Sequence, residues 1–172
     1  DLGCGVGRHA AFLAALGFEL SAMDASESGL DFAREQAAGM GADIAFKRGE
    51  MTELPYEDNR FDMVLSWNVI YHGDGTVVRD SVAEIRRVLR PGGIYLGTML
   101  SKRNSSCGRG IEVAPDTWAD PQPGRGDKHH PHFFCNAREL LEIFDGFEPW
   151  LIRDVEQKPG AWHWHILMEH KP

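Results

Sequence analysis

Cysteine is scarce in this chain. Its three cysteines, Cys4, Cys107 and Cys135, are odd in number and scattered. Neither a disulfide framework nor a C-x-x-C metal pattern is available from them, and a reducing, cytoplasmic setting is expected. No apolar run approaches the roughly 18 residues of a membrane span, and no signal peptide is visible. Positive charge is the minority: 18 Lys and Arg stand against 26 Asp and Glu, a net charge of -8. That balance argues against a surface that neutralises phosphates, so no nucleic-acid partner is expected. Internal repeats and low-complexity tracts are missing as well. Hydrophobic residues make up 42% of the 172 positions, which suits a single domain over 1–172 with a sizeable core.

The opening stretch Asp1-Leu2-Gly3-Cys4-Gly5-Val6-Gly7 carries the most information. Its glycines alternate as G-x-G-x-G behind an acidic residue and ahead of a helix-compatible run. Such a turn lets backbone approach a nucleotide closely. Dinucleotide fingerprints read G-x-G-x-x-G instead, with pyrophosphate on the helix N-terminus. Moving the third glycine changes what the loop can hold. A loop of this kind normally follows a buried strand, yet only Asp1 and Leu2 precede it. The first strand is therefore expected to be truncated at the N-terminus, and its place would be central. The chain alone is expected to be poorly stable.

Beyond the loop, strands and helices alternate. Arg8 to Leu16 reads as a helix stopped at Gly17, and Phe18 to Met23 as a buried strand ending at Asp24. Ser26 is placed to cap a second helix with Leu30, Ala33 and Ala37 at helical spacing. Ile44 to Phe46 and Phe61 to Trp67 read as strands, separated by the Leu54-Pro55 and Asp58-Asn59 loop signals. Val78, Val82, Ile85 and Leu89 line a third helix that Pro91-Gly92-Gly93 stops. A strand follows over 94–99. Asn136 with Glu139 forms a capping box for a helix reaching Phe144. Two strands, 150–155 and 162–168, close the chain around a Lys158-Pro159-Gly160 turn. The pattern predicts an α/β, Rossmann-like doubly wound sheet, mostly parallel, with a C-terminal antiparallel hairpin strand.

Residues 100–135 break that rhythm. They hold four glycines, four prolines and a histidine cluster, without helical or strand periodicity. We read them as an inserted lid or substrate loop. Five Lys or Arg nearly balance four Asp or Glu there. Arg103, Arg109, Arg125 and Lys128 are candidates for an anionic acceptor, set against a plain solvated loop.

Five features fall where one architecture explains them. The glycine loop ends the first strand and Asp24 the second. Glu50 follows the third, Trp67 and Asn68 follow the fourth, and Leu89-Arg90-Pro91-Gly92-Gly93 leads into the fifth. In open α/β sheets ligands bind beyond the carboxyl ends of the strands. On the stretches DLGCGVGRH, MDAS at 23–26, GEMTELPY at 49–56, FDMVLSWNVIYH at 61–72 and LRPGG at 89–93, the chain resembles class I S-adenosylmethionine-dependent methyltransferases. The likeness is to the small-molecule branch with ubiquinone-type and tellurite-resistance-type enzymes, and His132-Phe133-Phe134 fits it too.

The resemblance implies S-adenosylmethionine as cofactor, S-adenosylhomocysteine as product, and a small-molecule methyl acceptor. Gly3, Cys4, Gly5 and Gly7 would pass under the methionine part, with Asp1 orienting the loop. Asp24 would accept hydrogen bonds from both ribose hydroxyls. Glu50 and the Met51 backbone would meet the adenine edge, with Ala25 or Met51 packing on the ring. Trp67 and Asn68 would lie near the sulfonium. Methyl transfer from a sulfonium is an in-line displacement with an activated leaving group, so alignment and water exclusion are the main demands. A base is required only if the acceptor loses a proton early.

Tyr71 and His72 are the candidates for touching the acceptor or taking its proton, and His132 is expected to point into the acceptor pocket. His129, His130 and His132 lack ordered ligand geometry, so no metal is expected. His163 and His165 alternate with Trp162 and Trp164, which mainly suggests sheet packing, with one face left open to the acceptor site. Cys4 reads as a small packed residue. Two other functions stay open at this point: an NAD-dependent oxidoreductase, since Asp24 suits an NAD ribose equally well, and a non-catalytic cofactor-binding module or fragment.

Overall fold

The computed structural model describes residues 1–120 and 130–171. The glycine loop turns directly into α1 (Arg8–Ala15), rich in good helix formers. After β1 (Leu20–Asp24), Ser26 caps α2 (Glu27–Met40) by accepting from the Gly29 amide at 3.2 Å. β2 (Ile44–Arg48) returns parallel to β1. A long loop then leads to β3 (Phe61–Ser66), α3 (Gly75–Val88) and β4 (Leu89–Ser101). Next come the short β5 (Ile111–Ala114), β6 (Thr117–Ala119) and β7 (His132–Cys135). The capping box at Asn136 starts α4 (Ala137–Ile143) as the sequence anticipates. β8 (Phe147–Lys158) and β9 (Ala161–His170) form the closing hairpin.

The first two residues hold the two halves of the sheet together. Leu2 donates its amide to Leu65 of β3 at 2.8 Å, and Met23 of β1 donates to the Asp1 carbonyl at 2.9 Å. The order in space is therefore β2, β1, Leu2, β3, β4, β9, β8. From Leu2 the chain steps outward to β2; from β3 it steps the other way to β4. Right-handed crossovers in opposite directions set α1 and α2 on one face and α3 on the other. The reversal falls between Leu2 and β3, where α/β sheets bind their ligands.

Antiparallel pairing is more extensive than one C-terminal hairpin. β9 lies antiparallel to both β4 and β8, and β6 lies antiparallel to both β5 and β7. Nor is the 100–135 stretch without strands. β7 pairs in parallel with the end of β4 at Leu100 and Ser101, and β5 with β6 builds outward from it. Strands of three or four residues are too short to show alternation in sequence, and distant partners define them. β4 also starts earlier than expected, with Leu89 opposite Phe61. A register shift before the Met63–Ile94 pair absorbs Pro91-Gly92-Gly93.

The main core lies between α3, α4 and the β3, β4 and β9 strands. Val78, Val82, Ile85 and Val88 present one helical face to it. A smaller cluster of Cys4, Ala10, Ala22 and Leu30 sits beneath the glycine loop. Its small side chains let α1 and α2 approach that loop closely. No described helix is long and apolar enough to cross a membrane.

Candidate active site

The edge of the sheet at the glycine loop is built mostly from backbone. Gly3, Gly5 and Gly7 adopt φ of 68°, 53° and 79°, the left-handed region that costs an L-residue about 1–2 kcal/mol. A Cβ at Gly3 would collide with Val69, and one at Gly7 would come within 2.8 Å of the Ala33 Cβ on α2. The loop is thus pinned against the helices on its inner side. At Gly5 a Cβ would meet nothing within 4 Å, so the outer side is open.

Asp24 closes the loop. One carboxylate oxygen accepts the Gly5 amide at 2.7 Å and the other accepts the Ser26 amide at 2.8 Å. Asp24 therefore ties β1, the loop and the start of α2 together. Its neighbours arrive by parallel pairing. Gly49 donates to the Asp24 carbonyl at 3.2 Å, and Arg48 donates from Nε to the Ala25 carbonyl at 3.2 Å. Those two bonds place exposed Glu50 and half-buried Met51 next to the end of β1. Asp1 lies at the base of the loop, with its Oδ2 buried and unpartnered among the described residues. Cys4 is buried, and burial together with the Asp24 charge pushes its thiol up to about 11. It is a packed thiol at neutral pH, as expected.

The end of β3 is shaped by one strained residue. Asn68 has φ 62°, a conformation that asparagine tolerates better than most residues. Its amide donates to the Thr98 hydroxyl of β4 at 2.8 Å, and that hydroxyl donates to the Asn68 side-chain oxygen at 3.1 Å. The Asn68 side chain is therefore turned to Thr98. The preceding Trp67 lies between two imidazoles, 4.8 Å from the His165 ring centroid and 6.3 Å from that of His9.

A cluster of rings follows. Tyr71 and His72 sit on the turn after β3, and His132 opens β7. The two segments are sewn together by a His72–His132 bridge and by the Phe133 amide donating to the Tyr71 carbonyl at 2.9 Å. Tyr71 stands 4.9 Å from His72, 5.9 Å from His132 and 6.1 Å from His163, and His72 stands 4.9 Å from His132. The three sequence candidates thus come together, joined by His163 of β9, while His165 of the same strand packs on Trp67. Burial lowers the pKa of His163 and His165 below the ordinary imidazole value, with Lys158 and His165 reinforcing this at His163 and Arg153 at His165. His9 is lowered by burial and by Arg8.

Sequence reasoning passed over His9 and Thr98 and treated His163 and His165 chiefly as sheet packing. The alternation of histidine with tryptophan in β9 was the available signal, but which face met Tyr71 depended on the β4–β9 register. His130 is exposed, and His129, Arg125 and Lys128 lie outside the described residues. Arg103 stacks 3.4 Å from the Trp162 ring centroid and sits 3.6 Å from Asp154. Arg109 is exposed. Among the described residues no group of three or more His, Cys, Asp or Glu is arranged to hold a metal ion.

Comparison with known proteins agrees with this geometry. Residues 1–93 match the family described as methyltransferase domain. A ubiquinone biosynthesis O-methyltransferase of Roseobacter denitrificans is 27% identical over 168 residues, covering 96% of this chain and 66% of the relative. The chain therefore spans a little under two thirds of that relative's length. An S-adenosylmethionine-dependent methyltransferase of Methanosarcina mazei superposes with a TM-score of 0.83 at 19% identity, over 99% of this chain and 91% of that one. The 1,6-didemethyltoxoflavin-N1-methyltransferase of Burkholderia thailandensis, solved with 1,6-didemethyltoxoflavin and S-adenosylhomocysteine, gives 0.78 at 22% identity, over 100% and 70%. These two share the fold. With more than half of its length matched by the family, the chain belongs to the methyltransferase domain family, within the class I S-adenosylmethionine-dependent methyltransferases.

Proposed function

We propose that this chain binds S-adenosylmethionine at the glycine loop and methylates a small molecule bearing a weakly acidic hydroxyl. The observation that carries the reading is the Asp24 clasp on the G-x-G-x-G loop at the point where strand order reverses. The residues fit the cofactor. The outer side of Gly5 is open, and the buried, unpartnered Asp1 carboxylate oxygen is an acceptor waiting for a donor. S-adenosylmethionine, when bound, supplies a methyl group already activated on a sulfonium.

The protein's part is to hold and to exclude water. Each Asp24 oxygen uses one lone pair on a backbone amide and keeps another for a ribose hydroxyl. Loop backbone at Gly3, Cys4, Gly5 and Gly7, with Asp1 beneath, holds the amino acid end. Glu50 and Met51 take the adenine edge, and Ala25 borders it. Trp67 and Asn68 cover the reacting end. Tyr71, His72 and His132 line the acceptor side, with residues 100–135 acting as lid and selectivity element. A hydroxyl acceptor is supported by the name of the Roseobacter relative. The three free thiols suit a reducing compartment.

Calorimetric titration with S-adenosylhomocysteine and with NAD tests the cofactor assignment. Binding of S-adenosylhomocysteine and not of NAD is expected, and preference for NAD reverses the reading. A screen of metabolite pools with isotope-labelled methyl donor then identifies the acceptor.

A further inference from the structure

His163 combines three properties that the other ring-cluster histidines do not share. It is buried, 8% exposed, on β9, where it pairs with Leu100 of β4 on one side and Val155 of β8 on the other. Its Nδ1 lies 3.3 Å from the Ala161 carbonyl oxygen. A carbonyl only accepts, so Nδ1 carries the proton and Nε2 keeps its lone pair. Among the described residues Nε2 has no hydrogen-bond partner, and it is not one of the fully buried orphan atoms. His165 differs, since its Nε2 is shared with the Gln157 amide at 3.0 Å. His72 and His132 pack edge to face on each other.

Position completes the case. His163 sits two residues from His165 on the same strand face, about 7 Å along the strand, and His165 touches Trp67. Its ring faces Tyr71 at 6.1 Å. Resting on the methyl-transfer reading above, we propose that His163 is the proton acceptor of the reaction, taking the acceptor's hydroxyl proton on Nε2. The acceptor oxygen forms its bond to the methyl carbon as the methyl–sulfur bond breaks. The sulfur leaves as a neutral thioether, and the positive charge it carried ends on the His163 imidazolium.

The surroundings suit that role. Lys158 of β8 and His165 of β9 disfavour a cation at rest, Asp154 of β8 favours one, and Tyr71 packs from the turn after β3. Burial is the largest influence and lowers the pKa, so the ring is a free base at neutral pH.

The test uses the full chain, S-adenosylhomocysteine, and catechol as a hydroxyl probe. Nitrogen-15 NMR of the histidines should show His163 as the Nδ1–H tautomer, neutral at pH 7. In the S-adenosylhomocysteine complex, catechol should shift the His163 Nε2 resonance. With S-adenosylmethionine, H163N keeps an amide near the Nδ1 position but lacks Nε2. It should lower kcat about 100-fold, abolish the acidic limb of the pH profile, and leave S-adenosylhomocysteine affinity within twofold. Imidazole should partly rescue His163→Ala. A His163 protonated on Nε2, a catechol shift confined to other histidines, or an H163N variant with unchanged kcat and pH profile overturns the proposal. If wild type fails to bind S-adenosylhomocysteine, the underlying methyl-transfer reading fails instead.

Discussion

The two sides of the site are made by different means. On the proposed cofactor side, the loop, Asp24, Ala25, Glu50 and Met51 are held by hydrogen bonds to backbone groups of close neighbours in the fold. On the proposed acceptor side, Tyr71, His72, His132 and His163 meet as side-chain rings brought from three segments, and His165 packs on Trp67. The first arrangement is defined by glycine geometry and one carboxylate, and tolerates little change. The second is a wall of replaceable rings on a fixed ladder. A family can therefore keep its methyl donor while altering its acceptor.

Substitutions that separate the two sides sharpen this contrast. Asp24→Ala should have the largest effect, lowering S-adenosylhomocysteine affinity by upwards of about 100-fold in calorimetry. It removes two charge-assisted bonds of about 1.5–3 kcal/mol each, and a loss under threefold would contradict the clasp. Gly7→Ala comes next. Left-handed strain and crowding against Ala33 should cost about 2–3 kcal/mol in denaturant unfolding. Gly17→Ala, at φ 88° with nothing within 4 Å, should cost only about 1 kcal/mol. Equal losses would mean that packing under the loop is unimportant.

His132→Ala should raise the KM for catechol roughly tenfold, about 1.4 kcal/mol, without altering S-adenosylhomocysteine affinity. A change in the latter would merge the two sides. The smallest effect is expected at Arg87, away from both. It binds Glu84, Asp58 and the Leu54 and Tyr56 carbonyls. Arg87→Met should lose about 1 kcal/mol of stability and no cofactor affinity. The Arg87 hydrogen bonds hold Glu84 below the ordinary carboxylate range, against a smaller opposing effect of burial. A depressed folded-state pKa contributes stability above the unfolded value and loses it as pH falls through the folded one. Wild type should therefore lose stability below roughly pH 4.3 more steeply than Arg87→Met in acid titrations of unfolding.

The same contrast explains what was legible in advance. Helix caps at Ser26 and Asn136, the glycine loop and the strand end at Asp24 depend on residues a few positions apart, and sequence spacing revealed them. Placing His163 against Tyr71 requires the β4–β9 register, and β7 takes its place in the main sheet by pairing with Leu100 and Ser101 of β4. Local patterns carry no record of such pairings. The Thr98–Asn68 bond was hidden for the same reason: each residue is unremarkable until β3 and β4 lie side by side.

Trp67 touches His9 in the first helix and His165 in the last strand. The segments assigned to the proposed donor side lie close in sequence, so their contacts can form early in folding. The indole gains its second neighbour only when the β8–β9 hairpin has paired with β4. On the proposed reading, the acceptor side therefore gains its wall, and with it any preference among acceptors, only when distant strands pair.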